Sequence, residues 1–259
     1  ITPELRRGET QLLLLTLNHK ARLGGSAISQ VFDGFEDECP DIDDAKMLKV
    51  FLETVQKLCA NRRILALHDR SDGGLIATVL EMAFASRIGV DVLASENLLP
   101  DLFNEEVGIV IQVPTTDVAS ITTDAATANI CVAHVGRTRI DEEIFIYVNE
   151  RVAFHSSRAK LEKIWATTSY QIQRLRDDTE CADEEYGAID TRDACIHEQL
   201  SFDPSDNVVA HFASARPRVA ILRDQGVNGQ IEMAAAFDHA GFEAEDVHMS
   251  DLFSGSKDL

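Results

Sequence analysis

Short apolar runs recur along the chain at 12–17 (LLLLTL), 64–67, 90–93, 107–113, 130–135 and 142–148. Each is bounded by turn residues, which predicts strands. Between them the apolar spacing changes to three and four. Met47, Val50, Phe51, Val55 and Leu58 share one face of a helix that starts after Cys39-Pro40-Asp41-Ile42-Asp43, with Asp43 or Asp44 at its electropositive end. Leu75, Val79 and Met82 predict a second helix over 75–85, with Gly89 beyond its end. A Thr/Ala/Asp-rich stretch at 116–126 reads as a third. Leu161, Ile164, Trp165, Ile172 and Leu175 form the apolar side of a long one over 157–176. Ser26 is placed to N-cap a short helix from Ala27 to Phe32. Asn149-Glu150 predicts a tight turn between the run at 142–148 and a further strand at 151–154.

Strands and helices mixed in this order predict an α/β (α+β) sandwich with helices over one face of a mixed sheet. Residues 1–20 read as a lead-in segment, 21–156 as a domain, and 157–216 as a helix followed by an acidic, breaker-rich linker containing Pro204. A new pattern opens at 217. Arg218 to Leu222 is a strand, Asp224 to Gly229 a tight loop, Gln230 to Ala240 a helix ended by Gly241, and a second strand lies within Phe242 to Met249. This is a βαβ start. Alone, such a unit leaves a parallel sheet edge and an apolar helix face uncovered, so 217–259 is expected to be poorly ordered or aggregation-prone in isolation.

Composition narrows the function. The 259 residues carry a formal net charge of −20, with 45% hydrophobic and 26% charged residues. So acidic a chain repels polyphosphate, which argues against a nucleic-acid partner. A small nucleotide remains compatible, because a divalent cation bridges carboxylate to phosphate. Cys39, Cys59, Cys131, Cys181 and Cys195 are scattered, without the spacing of a zinc site or a disulfide framework, as expected of a reducing compartment. No apolar run is long enough to span a bilayer and no signal peptide is visible, so no membrane partner and a cytoplasmic location are expected. Ile1 in place of an initiator Met is the expected start of a piece of a longer protein.

The densest chemistry lies in His68-Asp69-Arg70-Ser71-Asp72-Gly73-Gly74. Asp69 is a candidate ligand for Mg2+, a cation that prefers hard oxygens, and Ser71 a candidate hydrogen-bonding partner of a nucleotide. The Gly73 and Gly74 amides, at a helix start, would favour an anion. The competing reading is a loop in which Asp72 caps the next helix. Leu23-Gly24-Gly25-Ser26 is either an anion-binding helix start or, preferably, a plain turn. Asn104-Glu105-Glu106 could add carboxylates to a metal, but reads better as a solvated helix end. His68, His134, His155 and His211 lack the spacing of a metal site or a triad, and Trp165 belongs to a packing stripe. Gln225-Gly226-Val227-Asn228-Gly229 could present amides as an oxyanion hole, yet no cysteine sits in a Gly-x-Cys-x-Gly elbow to act as nucleophile.

Taken together, RLGGSAISQVF, ECPDIDDAK, HDRSDGGL, EMAFASRIGVDV, LFNEEVG, YQIQRLRD and RVAILRDQGVNGQIEMAAAFDHAGFEAEDVHMSDL resemble the large phosphoribosylformylglycinamidine synthases of bacterial purine biosynthesis, in order from about Arg22 to Leu252. The resemblance implies that 21–156 is the second C-terminal domain of the aminoimidazole ribonucleotide synthase superfamily, 157–216 a connector, and 217–259 the first βαβ of a flavodoxin-like class I glutamine amidotransferase domain. It implies an ATP-dependent C–N ligase that uses glutamine to convert formylglycinamide ribonucleotide to the amidine, with ATP or ADP and Mg2+ as cofactors. It also implies that Asp69 is a magnesium ligand and Ser71 a nucleotide contact. The remaining metal ligands, the upstream synthase domains and the glutaminase triad would lie outside these 259 residues. The alternative is a non-catalytic nucleotide-binding or scaffold module acting on its own.

Overall fold

Four consecutive leucines, Leu12 to Leu15, are all buried, and they fix the architecture. Side chains alternate across a strand, so a run apolar at every position needs cover on both faces. The computed structural model describes residues 1–34, 38–191, 199–203 and 216–258, in two compact units, Ile1–Asp193 and Ala194–Leu259. Cys195, Pro204 and His211 lie outside the described residues.

The first unit runs β1 (Thr10–Thr16), α1 (Ala27–Phe32), α2 (Ala45–Ala60), β2 (Ala66–Arg70), α3 (Gly74–Ser86), β3 (Val90–Ala94), α4 (Leu98–Phe103), β4 (Gly108–Pro114), α5 (Val118–Thr127), β5 (Cys131–Thr138), β6 (Glu143–Val148), β7 (Arg151–Ser157), α6 (Arg158–Arg176) and α7 (Thr179–Ala188). The strands form one mixed sheet in the order β2-β4-β1-β5-β3-β6-β7. Neighbours are antiparallel except β3 and β6, which run parallel. Residues 10–16, read from sequence as part of a lead-in, thus supply an inner strand between β4 and β5.

Leu12 and Leu14 pack with Leu75, Val79 and Met82 of α3 and Leu102 of α4. Leu13 and Leu15 pack on the other face with Phe51, Val55 and Leu58 of α2 and Ile121 of α5. Helices therefore cover both faces, which corrects the one-face expectation. Each buried leucine contributes about 1.5–3 kcal/mol of transfer free energy. α2 starts on Asp44, whose carboxylate accepts from the Lys46 and Met47 amides, and α6 starts on Ser157. Asn149 and Glu150 both take positive φ, 48° and 64°, in the β6–β7 turn.

Beyond α6 the structure departs from a linker. Residues 179–188 form α7, which packs on α6 through stacked rings of Tyr170 and Tyr186 with centroids 4.0 Å apart. Trp165 is 60% exposed; its ring lies 5.8 Å from Phe84 and its Nε1 donates to Glu81. In the second unit β8 (Arg218–Arg223), α8 (Gln230–His239) and β9 (Glu243–His248) form the expected parallel βαβ, followed by α9 (Met249–Phe253). Among the described residues no helix is long and apolar enough to cross a membrane.

Candidate functional site

Asp69 and Arg70 are not loop residues but the last two of β2, an edge strand. Pleating sends Ala66, His68 and Arg70 toward α3, and Leu67 and Asp69 toward the α2 face. His68 is fully engaged, with Nε2 2.8 Å from Glu81 and Nδ1 3.2 Å from the Asp69 carboxylate. That carboxylate is 70% exposed. Ser71 and Asp72 follow it, also exposed. Asp69, Ser71 and Asp72 line one side of an open groove of about 590 Å3, with Gly25, Leu52 and Glu105 among its other walls.

The two glycines serve the protein rather than a ligand. Gly73 and Gly74 have φ of 84° and 71°, and a Cβ on Gly74 would sit 2.7–2.8 Å from backbone atoms of Leu102, Phe103 and Asn104. The α3 start is pressed against the end of α4. Nor are the amides idle: Gly73 N–H donates to Glu105 Oε1 at 2.7 Å and Gly74 N–H to the Ser71 carbonyl at 3.0 Å. The same Glu105 oxygen accepts from Ala27 N–H at 2.9 Å, at the start of α1. One carboxylate oxygen thus occupies the electropositive ends of two helices, where sequence placed a bound anion. Ser26 N-caps α1 as expected; α3 begins on Gly73 with no side-chain cap, so Asp72 does not cap it.

Asn104, Glu105 and Glu106 are correspondingly not a solvated helix end. Asn104 and Glu106 are buried. Glu106 receives a bidentate pair from Arg22, at 2.5 Å to Nε and 2.8 Å to Nη2, and this hydrogen bonding raises the Arg22 pKa. Next to it Arg70 is buried and donates from Nε to the Glu106 carbonyl at 2.7 Å. Burial pushes its pKa down to about 10, against the opposing pull of Glu106. Sequence marked Glu105 only as a possible metal carboxylate or a solvated helix end and gave Arg70 no role, because their partners come from segments far away in the chain.

Three carboxylates on the groove, Asp69, Asp72 and Glu105, suit a hard cation better than a bare phosphate. Glu105 is committed to backbone amides, leaving Asp69, Ser71 and Asp72 with exposed oxygens able to contribute part of a coordination shell. Among the described residues no group of three or more His, Cys, Asp or Glu is arranged to hold a metal, so a cation at Asp69 needs ligands from elsewhere. In the second unit, Gly226 and Gly229 of the β8–α8 turn take positive φ, 74° and 92°.

Residues 10–149 match the model described as AIR synthase related protein, C-terminal domain. The chain belongs to the family of AIR synthase related proteins. Residues 216–259 match a CobB/CobQ-like glutamine amidotransferase domain. Two such matches in this order are what a phosphoribosylformylglycinamidine synthase-type fragment requires, and they bear out the resemblance. Among solved structures, Thermotoga maritima PurL complexed with FGAR is similar with a TM-score of 0.52 at 11% identity, over 62% of this chain and 29% of that one. T. maritima PurL complexed with ATP gives a TM-score of 0.50 at 11% identity, over 61% of this chain and 26% of that one. These likenesses show a shared fold. The chain spans under a third of the length of either protein.

Proposed function

We propose that this chain is the part of a phosphoribosylformylglycinamidine synthase that supplies one wall of a Mg2+–nucleotide site, with Asp69 as a metal ligand and Ser71 as a nucleotide contact. The single observation that carries this reading is the exposed Asp69 carboxylate at the end of β2, with Ser71 beside it on an acidic groove. Of the groove's acids, Asp69 is the one a strand holds at its end. The chemistry of the donor set fits, since both groups offer hard oxygen. The cation would supply positive charge that lets phosphate oxygens approach carboxylates. His68 would hold the Asp69 carboxylate in place until the cation takes over.

The whole enzyme would use ATP and glutamine to convert formylglycinamide ribonucleotide to its amidine. The glutaminase domain begun at 216–259 would supply ammonia, and the synthase domains upstream would complete the metal site. The family matches and the likeness to PurL structures complexed with ATP and with FGAR support this assignment. The site would lie in the cytoplasm, with neither nucleic acid nor membrane as partner.

The test is Asp69→Asn in the full-length synthase, read by calorimetry with Mg-ADP. Replacing a ligating carboxylate is expected to weaken binding by about tenfold or more, equivalent to about 1.4 kcal/mol. Ser71→Ala should produce a smaller loss. Unchanged nucleotide affinity in Asp69→Asn would remove the assignment. Tight Mg-ADP binding by the 259-residue chain alone would instead favour a self-sufficient nucleotide module.

A further inference from the structure

Arg70, Gly108 and Thr16 stand side by side across β2, β4 and β1, because the ladders pair Arg70 with Gly108 and Gly108 with Thr16. Directly opposed residues share a face. Ala66 on β2, Val110 on β4 and Leu14 on β1, each an even number of residues from this row, pack with α3, so the row faces α3 as well. The Arg70 guanidinium lies over Gly108: a Cβ there would sit 3.1 Å from both Nε and Nη2. The missing side chain lets Arg70 lie across β4.

Arg70 is only 6% exposed. Its Nε is satisfied by the Glu106 carbonyl, but its buried Nη2 has no hydrogen-bond partner among the described residues. Such an atom calls for an acceptor, since an unmade bond by a buried charged group is destabilising. A guanidinium keeps its charge across the physiological range, so this donor is a cationic one.

On this face a cavity of about 490 Å3 opens, distinct from the groove under α2. Thr16, His19, Lys20, Arg70, Asn104 and His134 line it. Asp101, also on its wall, is turned to the Ser95 amide. Lys20 is half-exposed and pairs with Asp43 at 2.9 Å, whereas Arg70 Nη2 is a buried donor without a partner among the described residues. We propose that this cavity binds the oxyanion group, phosphate or carboxylate, of a small molecule, with Arg70 Nη2 as its buried anchor. The inference does not depend on the Asp69 reading, because an anion here needs no metal; Arg70 lines both cavities, whereas Thr16, Ala133 and His134 line this one and not the groove of Asp69.

The experiment is calorimetric titration of the full chain with sodium phosphate and, separately, sodium acetate. EDTA excludes divalent cations, and sodium chloride holds ionic strength constant. At least one anion should bind with unit stoichiometry; the tighter of the two identifies the group as phosphate or carboxylate. Arg70→Met should weaken that binding by about tenfold or more, the scale of one charge-assisted hydrogen bond. Should Arg70→Met fail to fold, Ala133→Asp decides. Ala133 is an exposed β5 position lining the same cavity, and a carboxylate there should repel the anion comparably. Binding of neither anion above the chloride background overturns the proposal. So does equal binding by wild type and the variants.

Discussion

Glu105 offers the sharpest test of how this site is built. Its Oε1 accepts two backbone amides, Gly73 N–H at 2.7 Å and Ala27 N–H at 2.9 Å, and so ties α1 and α3 together. Hydrogen bonds to charged groups are each worth about 1.5–3 kcal/mol net. The half-buried position lets water recover some of that loss, so Glu105→Ala is expected to destabilise the first unit by about 3 kcal/mol. Glu105→Gln keeps an acceptor oxygen and loses only its charge, for a cost of about 1 kcal/mol. Urea unfolding in EDTA, followed by tryptophan fluorescence, reads both variants with no metal present. For a unit of this size the alanine variant should melt about 6–12 °C lower. If Glu105 were instead a carboxylate reserved for a cation, Glu105→Ala would relieve repulsion with Asp69 and Asp72, and the metal-free protein would be as stable or more so. Equal or higher stability of Glu105→Ala in EDTA would therefore refute the capping argument.

Other expectations follow from the same geometry. Gly74→Ala puts a Cβ 2.7–2.8 Å from the α4 backbone at φ 71°, and should cost at least about 3 kcal/mol by denaturant unfolding, whereas Gly187→Ala in α7, with open space around it, should stabilise by about 0.5 kcal/mol. Asp141 has a pKa depressed chiefly by its hydrogen bonds from Arg139. Its contribution to stability is complete above the unfolded carboxylate value near 3.9, and is lost as pH falls through the lower folded value. Urea midpoints measured from about pH 5 down to about pH 3 should therefore fall less steeply in Asp141→Asn than in wild type. In the second unit Ile231 and Met233 of α8 are more than half exposed, so limited proteolysis should cut within 216–258 before it cuts the first unit.

Periodicity made most strands and helices legible, since β1, β3 to β7, α2, α3 and α6 all carry their apolar faces in sequence. The LLLL run already held the sign of a strand buried on both sides; read as a lead-in, it hid an inner strand. α7 was not legible, because its helix is acidic and its hold on α6 is aromatic stacking between Tyr170 and Tyr186 rather than an apolar stripe. Asp69 and Ser71 were found as groove residues, but the roles of Gly73 and Gly74 were not. Their positive φ was foreseeable from residue type, whereas the close approach of the α4 backbone depends on a segment some thirty residues later. Glu105 was read as a solvated helix end and Arg70 was given no role for the same reason: a capping carboxylate and an unsatisfied guanidinium are defined by tertiary partners.

The position of β1 has a cost during biosynthesis. Its hydrogen-bonding partners, β4 and β5, emerge roughly a hundred residues after it, which is about 5–20 s of translation. For that interval the ribosome carries an unpaired tetraleucine ribbon, a segment prone to intermolecular pairing and a natural client for holding chaperones.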